Sequence, residues 1–242
     1  MALFAPGAGV ELAYREDGTG ATVVLVHDLG GDELSQGRVA AELSPDARVI
    51  RYARRGYGAS GAPEPYSATT VMEQGEDLAS LLAALNLSGA LAVGEGFGAL
   101  IALDVARRHG GMLAGLVLHE PPLLAFVPDA ARVLSDERAR IEAAVASGGP
   151  AAGVAAWLDA RPDRDRAPAA PGAFFADYAG SATFSTTRAE LRAIELPAAI
   201  VTGPATAAHL VAAADALAAL LPSARRTTDD DVAAAARALL VD

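Results

Sequence analysis

Residues 91–100 read LAVGEGFGAL. Ala90 to Val93 is a short apolar run of strand character. From Phe97 to His109 the apolar residues return with helical spacing, and Gly110-Gly111 closes the segment. Between the two, Gly94, Gly96 and Gly98 alternate with Glu95 and Phe97. Three glycines in five residues mark a sharp turn that carries the chain from a buried strand into a packed helix.

The same alternation continues on both sides of this turn. Thr22 to His27 (TVVLVH) is a β-branched run of the kind buried on both faces of a sheet, and Arg48 to Tyr52 (RVIRY) is another strand. Asp32 to Leu43 has helical spacing between them. Val10 to Arg15, flanked by glycine turns, predicts the strand of a hairpin. Thr69 to Leu87 predicts a long amphipathic helix, with Val71, Leu78, Leu81, Leu82 and Leu85 on one face and Glu73, Glu76 and Asp77 in its first half. Strands follow at Leu113 to His119, Ala198 to Thr202 and Ala224 to Thr227, with helices at His209 to Leu221 and Val232 to Leu240.

This order predicts an α/β fold with a mostly parallel, doubly wound sheet. Ala125 to Glu195 breaks the rhythm. It holds helical pieces (Ala130 to Ala146, Ala152 to Ala160) and the stretch RPDRDRAPAAPG, without strand alternation. The expected division is a core of 1–124 and 196–242 with a helical lid, 125–195, over the carboxyl ends of the strands.

Composition narrows the function. Of 242 residues 52% are hydrophobic, enough for a large core, and the net charge is −11. That balance argues against nucleic acid and against anionic membrane surfaces as partners. Without cysteine there is no disulfide, thiolate nucleophile or cysteine-bound metal. The first residues lack the basic-then-apolar layout of a signal peptide, so a cytoplasmic protein is the expectation. The expected partner is a small molecule, with no cofactor and no metal; the oligomeric state is not readable.

Four stretches in register resemble the α/β-hydrolase superfamily, in particular its small lid-bearing members. They are His27-Asp28-Leu29-Gly30-Gly31 after a buried strand, Tyr52 to Ser60 (YARRGYGAS) after the next, Gly94 to Gly98, and Leu118-His119-Glu120-Pro121-Pro122. The resemblance implies an oxyanion loop at the first stretch and a nucleophile elbow, G-x-S-x-G, at the third. It also implies a late histidine base and a carboxylate to orient it. This sequence departs at each catalytic position. Gly96 stands at the nucleophile's place, and Gly203-Pro204-Ala205-Thr206 follows the penultimate strand. No histidine occurs after His209. Asp28 replaces a glycine of the oxyanion loop, where a carboxylate opposes a developing negative charge.

The expected reading is therefore this fold without its Ser-His-Asp triad, turned to a non-hydrolytic step on an apolar molecule: proton transfer, elimination, isomerisation or cyclisation. A non-catalytic ligand-binding protein and a hydrolase that activates water with a carboxylate are the alternatives. Glu120 and Asp28 are the candidate catalytic groups. Glu120 has the competing reading of a cap on the lid's first turn or a partner of Arg54, and Asp28 that of a turn or capping residue. Around the substrate we expect His27, Leu29, Glu95, Gly96, Phe97, His119, Phe126 and Trp157. The N–H groups of Leu29 and Phe97 are candidate donors to a substrate carbonyl. Within that set His27 is read as bracing the oxyanion loop, His119 as packed and bonded to backbone, and Glu95 as equally at home with a buried partner. His109 and His209 are read as surface groups. Asp229 to Asp231 are read as caps of the last helix rather than metal ligands.

Overall fold

A computed structural model describes residues 2–128, 130–161 and 170–240. Among these, eight strands form one sheet: β1 (Leu3–Pro6), β2 (Glu11–Asp17), β3 (Ala21–Val26), β4 (Ala47–Tyr52), β5 (Ala90–Glu95), β6 (Leu113–His119), β7 (Ala198–Val201) and β8 (Ala224–Thr227). Their order is β1-β2-β4-β3-β5-β6-β7-β8. The pairs β1/β2 and β2/β4 are antiparallel and the remaining pairs parallel. Helices α1 (Gly37–Leu43), α2 (Val71–Ala84), α3 (Phe97–His109), α7 (Ala208–Ala218) and α8 (Val232–Leu240) alternate with the strands.

Period-two alternation explains why β3 is apolar from Val23 to Val26. Val24 and Val26 pack into one core with Leu78 and Leu81 of α2 and Ile101 of α3. Val23 and Leu25 face the other way, toward Val39 and Leu43 of α1 and Ala233 and Ala236 of α8. Each fully buried Val or Leu contributes about 1.5–3 kcal/mol, so a strand sandwiched in this way has no polar face.

The differences from the sequence reading have local causes. β1 lies before the expected hairpin strand and pairs with β2 from Leu3↔Tyr14 to Pro6↔Glu11. The helix expected from Asp32 begins only at Gly37. Asp32 Oδ1 accepts the N–H groups of Leu34 (2.8 Å) and Ser35 (3.2 Å), and Gln36 has φ +58°. These side-chain bonds offer the backbone a turn in place of a helix. α2 starts at Val71 because Thr70 caps it, its hydroxyl accepting the Glu73 N–H at 3.0 Å.

Between β6 and β7 the described elements are helical: α4 (Ala130–Asp159), α5 (Pro171–Ser181) and α6 (Arg188–Arg192). The two helical pieces expected here are both present: α4 consists of two helices that meet at Gly149, whose backbone is not helical (φ +76°, ψ −176°), before Pro150. Most of the Pro/Arg/Ala-rich stretch, 162–169, lies outside the described residues. α5 is tied to the core by a buried ion pair between Arg54, which follows β4, and Asp177; their side chains are 1% and 0% exposed. Arg54 also donates to Gln74 Oε1 (2.6 Å), to the His27 carbonyl (3.1 Å) and to the Asp28 carbonyl (3.2 Å). Burial works against charge on Arg54, but Asp177 more than offsets it and keeps the guanidinium protonated. The expected partnership of Arg54 with Glu120 is replaced by this network.

No helix among the described residues is long and apolar enough to cross a membrane.

Candidate functional site

The turn from β5 into α3 brings the sequence motif and the site together. Gly96 has φ +53° and ψ −117°, a conformation that is strained for any residue with a side chain. Its N–H donates to the His119 carbonyl at 2.9 Å. A methyl group added at Gly98 would run into the carbonyl oxygen of Val26, so helix α3 can start this close to β3 only on a glycine. At Gly96 an added methyl would overlap all three carboxyl atoms of Asp28. The Asp28 carboxylate therefore fills the space where a side chain at position 96 would begin. Asp28 is 6% exposed and its Oδ1 accepts the Phe97 N–H at 2.8 Å. The amide that the resemblance assigns to a developing oxyanion is thus engaged by a carboxylate of the protein itself. The helix N-terminus favours that negative charge.

A cavity of about 830 Å³ opens from this point between the sheet and the helical insertion. Asp28, Leu29, Gly96, Phe97, Glu120 and Trp157 all line it, as the sequence reading expects. Trp157 packs edge-on against Phe174, with ring centroids 5.6 Å apart, and carries the Arg161 guanidinium 3.9 Å above its ring. Glu120 sits at the end of β6 with φ +47°. Its N–H donates to the Val201 carbonyl at 2.9 Å, and its Oε1 accepts the Thr206 hydroxyl, which in turn accepts the Gly203 N–H at 2.8 Å. One partner of Glu120 is therefore a threonine from the loop after β7, which sequence inspection does not single out.

Four expected substrate contacts are corrected. His27 is 1% exposed and does not line the cavity. Its Nδ1 donates to the Asp28 carbonyl at 2.7 Å while Nε2 accepts the Arg54 N–H at 3.0 Å. That pattern requires the neutral ring with its proton on Nδ1. It braces the loop that presents Asp28. Phe126 also lies outside the cavity lining; it packs against the core, with the Arg188 guanidinium 4.8 Å from its ring centroid. Glu95 and His119 face a second depression of about 800 Å³ instead, which shares Glu120 and His209 with the first. There His119 Nε2 lies 2.8 Å from Asp230 Oδ1, and Nδ1 lies 3.6 Å from Glu95 Oε1. His119 thus lies between two carboxylates.

Two further readings change. Asp231 caps α8, its Oδ1 accepting the Ala234 N–H at 2.8 Å, but Asp230 turns away (φ +60°) to meet His119. His209 is not a surface group: it lines both depressions, and burial lowers its pKa. No group of three or more His, Cys, Asp or Glu among the described residues is placed to hold a metal ion.

The state of His27 has a measurable consequence. Burial, with Arg54 adding to it, holds the ring's pKa well below 6.5. The unfolded chain takes up that proton near pH 6.5, so His27's contribution to stability is complete above that pH and is lost as the pH falls. The slope reaches about 1.4 kcal/mol per pH unit. Urea titrations from pH 7.5 to 5 are expected to show this loss in the wild type and a shallower one in His27→Gln. Equal slopes would contradict it.

Comparison with known proteins agrees with this architecture. The model of the "Alpha/beta hydrolase family" matches residues 23–241. An "Uncharacterized hydrolase YraK" of Bacillus subtilis (strain 168) is 34% identical over 49% of this chain and 43% of its own. An "Epoxide hydrolase" of Caballeronia sordidicola is 35% identical over 40% of this chain and 30% of its own. The chain thus matches less than half the length of these curated relatives. Among solved structures, an alpha/beta hydrolase from Sphaerobacter thermophilus DSM 20745 aligns with a TM-score of 0.72 at 27% identity, over 93% of this chain and 91% of that one. A thermophilic esterase from Thermogutta terrifontis aligns with a TM-score of 0.76 at 22% identity, over 100% and 96%. With the family model spanning the sheet from β3 through α8, and the elbow, oxyanion loop and helical insertion each in place, the chain belongs to the alpha/beta hydrolase family.

Proposed function

We propose that this protein has lost the family's triad, binds an apolar small molecule in the cavity beneath the helical lid, and promotes a non-hydrolytic step on it. Asp28 acts as the proton acceptor and Glu120 as the second carboxyl group. The observation that carries the reading is the seat of Asp28, whose carboxylate stands in the nucleophile's space and bonds the Phe97 N–H. Acyl transfer needs an attacking atom and open donors for the oxyanion, whereas a carboxylate at that spot serves to accept a proton. Proton abstraction, with elimination, isomerisation or cyclisation following from it, needs only such a base and a positioned substrate. The cavity wall of Leu29, Phe97, Leu100, Leu123, Ile141 and Trp157 favours an apolar skeleton, as in tailoring of a natural product.

The test is conversion of a metabolite mixture, read by mass spectrometry. A positioned base contributes about 10²–10⁴-fold, so Asp28→Asn is expected to lower turnover by at least about 100-fold. Glu120→Gln is expected to lower it by at least about tenfold. Unchanged turnover in Asp28→Asn would exclude Asp28 as the base. A compound retained intact by the wild type, with no product, would favour a carrier or sensor.

Hydrolysis by carboxylate-activated water is the second reading, favoured by the hydrolase names of the relatives. It predicts turnover of activated esters that disappears in Glu120→Gln; the proposal predicts none in either protein.

A further inference from the structure

We infer that the ligand does not end in the apolar cavity: it runs past His209 and lays an uncharged, hydroxyl-bearing end in the adjoining depression. The inference rests on the cavity being the functional site and names the second half of what it binds. The two hollows share Val133, Glu137 and Arg161 on the side of the helical insertion, and Glu120, His209 and Leu210 on the side of the core. A wall drawn from α4 and its end on one side, and from the end of β6 and α7 on the other, is what a single slot along that seam produces. At about 830 and 800 Å³, each half has the size of an ordinary ligand pocket.

The halves differ in chemistry. The cavity is walled by side chains such as Leu100, Leu123, Ile141 and Phe175. Five carboxylates and three guanidinium groups line the depression, so an ionic head of either sign meets like charge there. Hydroxyls both donate and accept, and pair with Asp136 as well as with Arg140 one turn further along α4. His209 stands in the first turn of α7, where the halves meet. The other three histidines are engaged: His27 with Asp28 and Arg54, His109 with Glu76, and His119 with Asp230. No described residue hydrogen-bonds either ring nitrogen of His209. Burial lowers its pKa, so above pH 6.5 the ring is neutral and offers one donor and one acceptor. Neighbouring hydroxyls on a ligand passing this point use both.

Trp157 is the chain's single tryptophan, is 3% exposed and lines the cavity, so its emission responds to occupancy. The full chain is titrated with octyl β-glucoside, 1-octanol, octyltrimethylammonium and octyl sulfate, which share one apolar body, each below the concentration at which it forms micelles. The glucoside is expected to bind at least about tenfold tighter than each of the others, because a site that hydrogen-bonds a ligand's hydroxyls rejects analogues lacking them. His209→Leu is expected to cut the glucoside-over-octanol preference at least about fivefold, whereas His209→Gln, which keeps a donor and an acceptor, retains most of it. Ala205→Phe, at an exposed position that lines only the depression, is expected to cut the preference as well. Equal affinities, tighter binding of either ionic amphiphile, no saturable response to the glucoside, or a preference unchanged in His209→Leu or in Ala205→Phe would each overturn the inference. Binding preference is read without turnover. The preference with no product from any mixture therefore upholds this inference and sinks the proton-transfer reading, and product formation without the preference does the reverse.

Discussion

Gly96→Ser is expected to destabilise the protein by about 4 kcal/mol in urea titration, an unusually large effect for adding two heavy atoms. The new Cβ would overlap the Asp28 carboxyl group, which is held behind it by the Phe97 N–H and lies 6% exposed. Overpacking of this kind costs about 1–3 kcal/mol. Pushing Asp28 aside also strips the Phe97 N–H of its buried acceptor, for about 1–3 kcal/mol more. A non-glycine residue at φ +53° and ψ −117° adds about 1–3 kcal/mol of backbone strain. The variant is thus destabilised by an acid 68 positions away in sequence, and a cost below about 1 kcal/mol would contradict the argument.

The second large effect is expected at Asp177. Replacing it by Leu leaves the Arg54 guanidinium charged and buried without its counter-ion, which costs about 3–5 kcal/mol. Gln74 Oε1 and two backbone carbonyls remain as acceptors but none supplies a charge. Converting Arg54 to Met in the same chain is expected to recover part of the loss. Full recovery is not expected, because Arg54 also holds the carbonyls of His27 and Asp28 and so shapes the loop beneath the cavity. Glu142→Gln is the control: its pair with Arg138 has side chains 62% and 72% exposed, and its loss should leave the urea midpoint unchanged. Similar costs at Asp177 and Glu142 would show that the buried pair does not anchor α5.

Local chemistry made much of this protein readable before its coordinates. The LAVGEGFGAL turn, the apolar run at 22–27 and the 97–109 helix are set by side-chain period and glycine spacing, and they emerge where read. Asp28 and Glu120 were legible as cavity residues because they end strands on the side where the insertion lies. What escaped inspection depends on long-range pairing. His119 meets Asp230 across 111 positions, Arg54 meets Asp177 across 123, and Thr206 meets Glu120 across 86. Nothing in the spacing of Asp229, Asp230 and Asp231 tells which one caps α8 and which reaches β6. Phe126 and His209 were misjudged for the same reason, since whether a side chain faces the cavity depends on how helices outside the sheet pack. Asp28 and Gly96 stand apart in the sequence as two unrelated residues. The structure packs one against the other.

The most direct test of that packing is Gly96→Ser in an Asp28→Gly background, compared by urea titration with the same change in the wild type. With the carboxylate gone, only the backbone strain should remain, so the cost of Gly96→Ser is expected to fall by at least about 2 kcal/mol. An equal cost in both backgrounds would mean that Asp28 does not fill the space of a side chain at position 96, and the account of this site would be wrong.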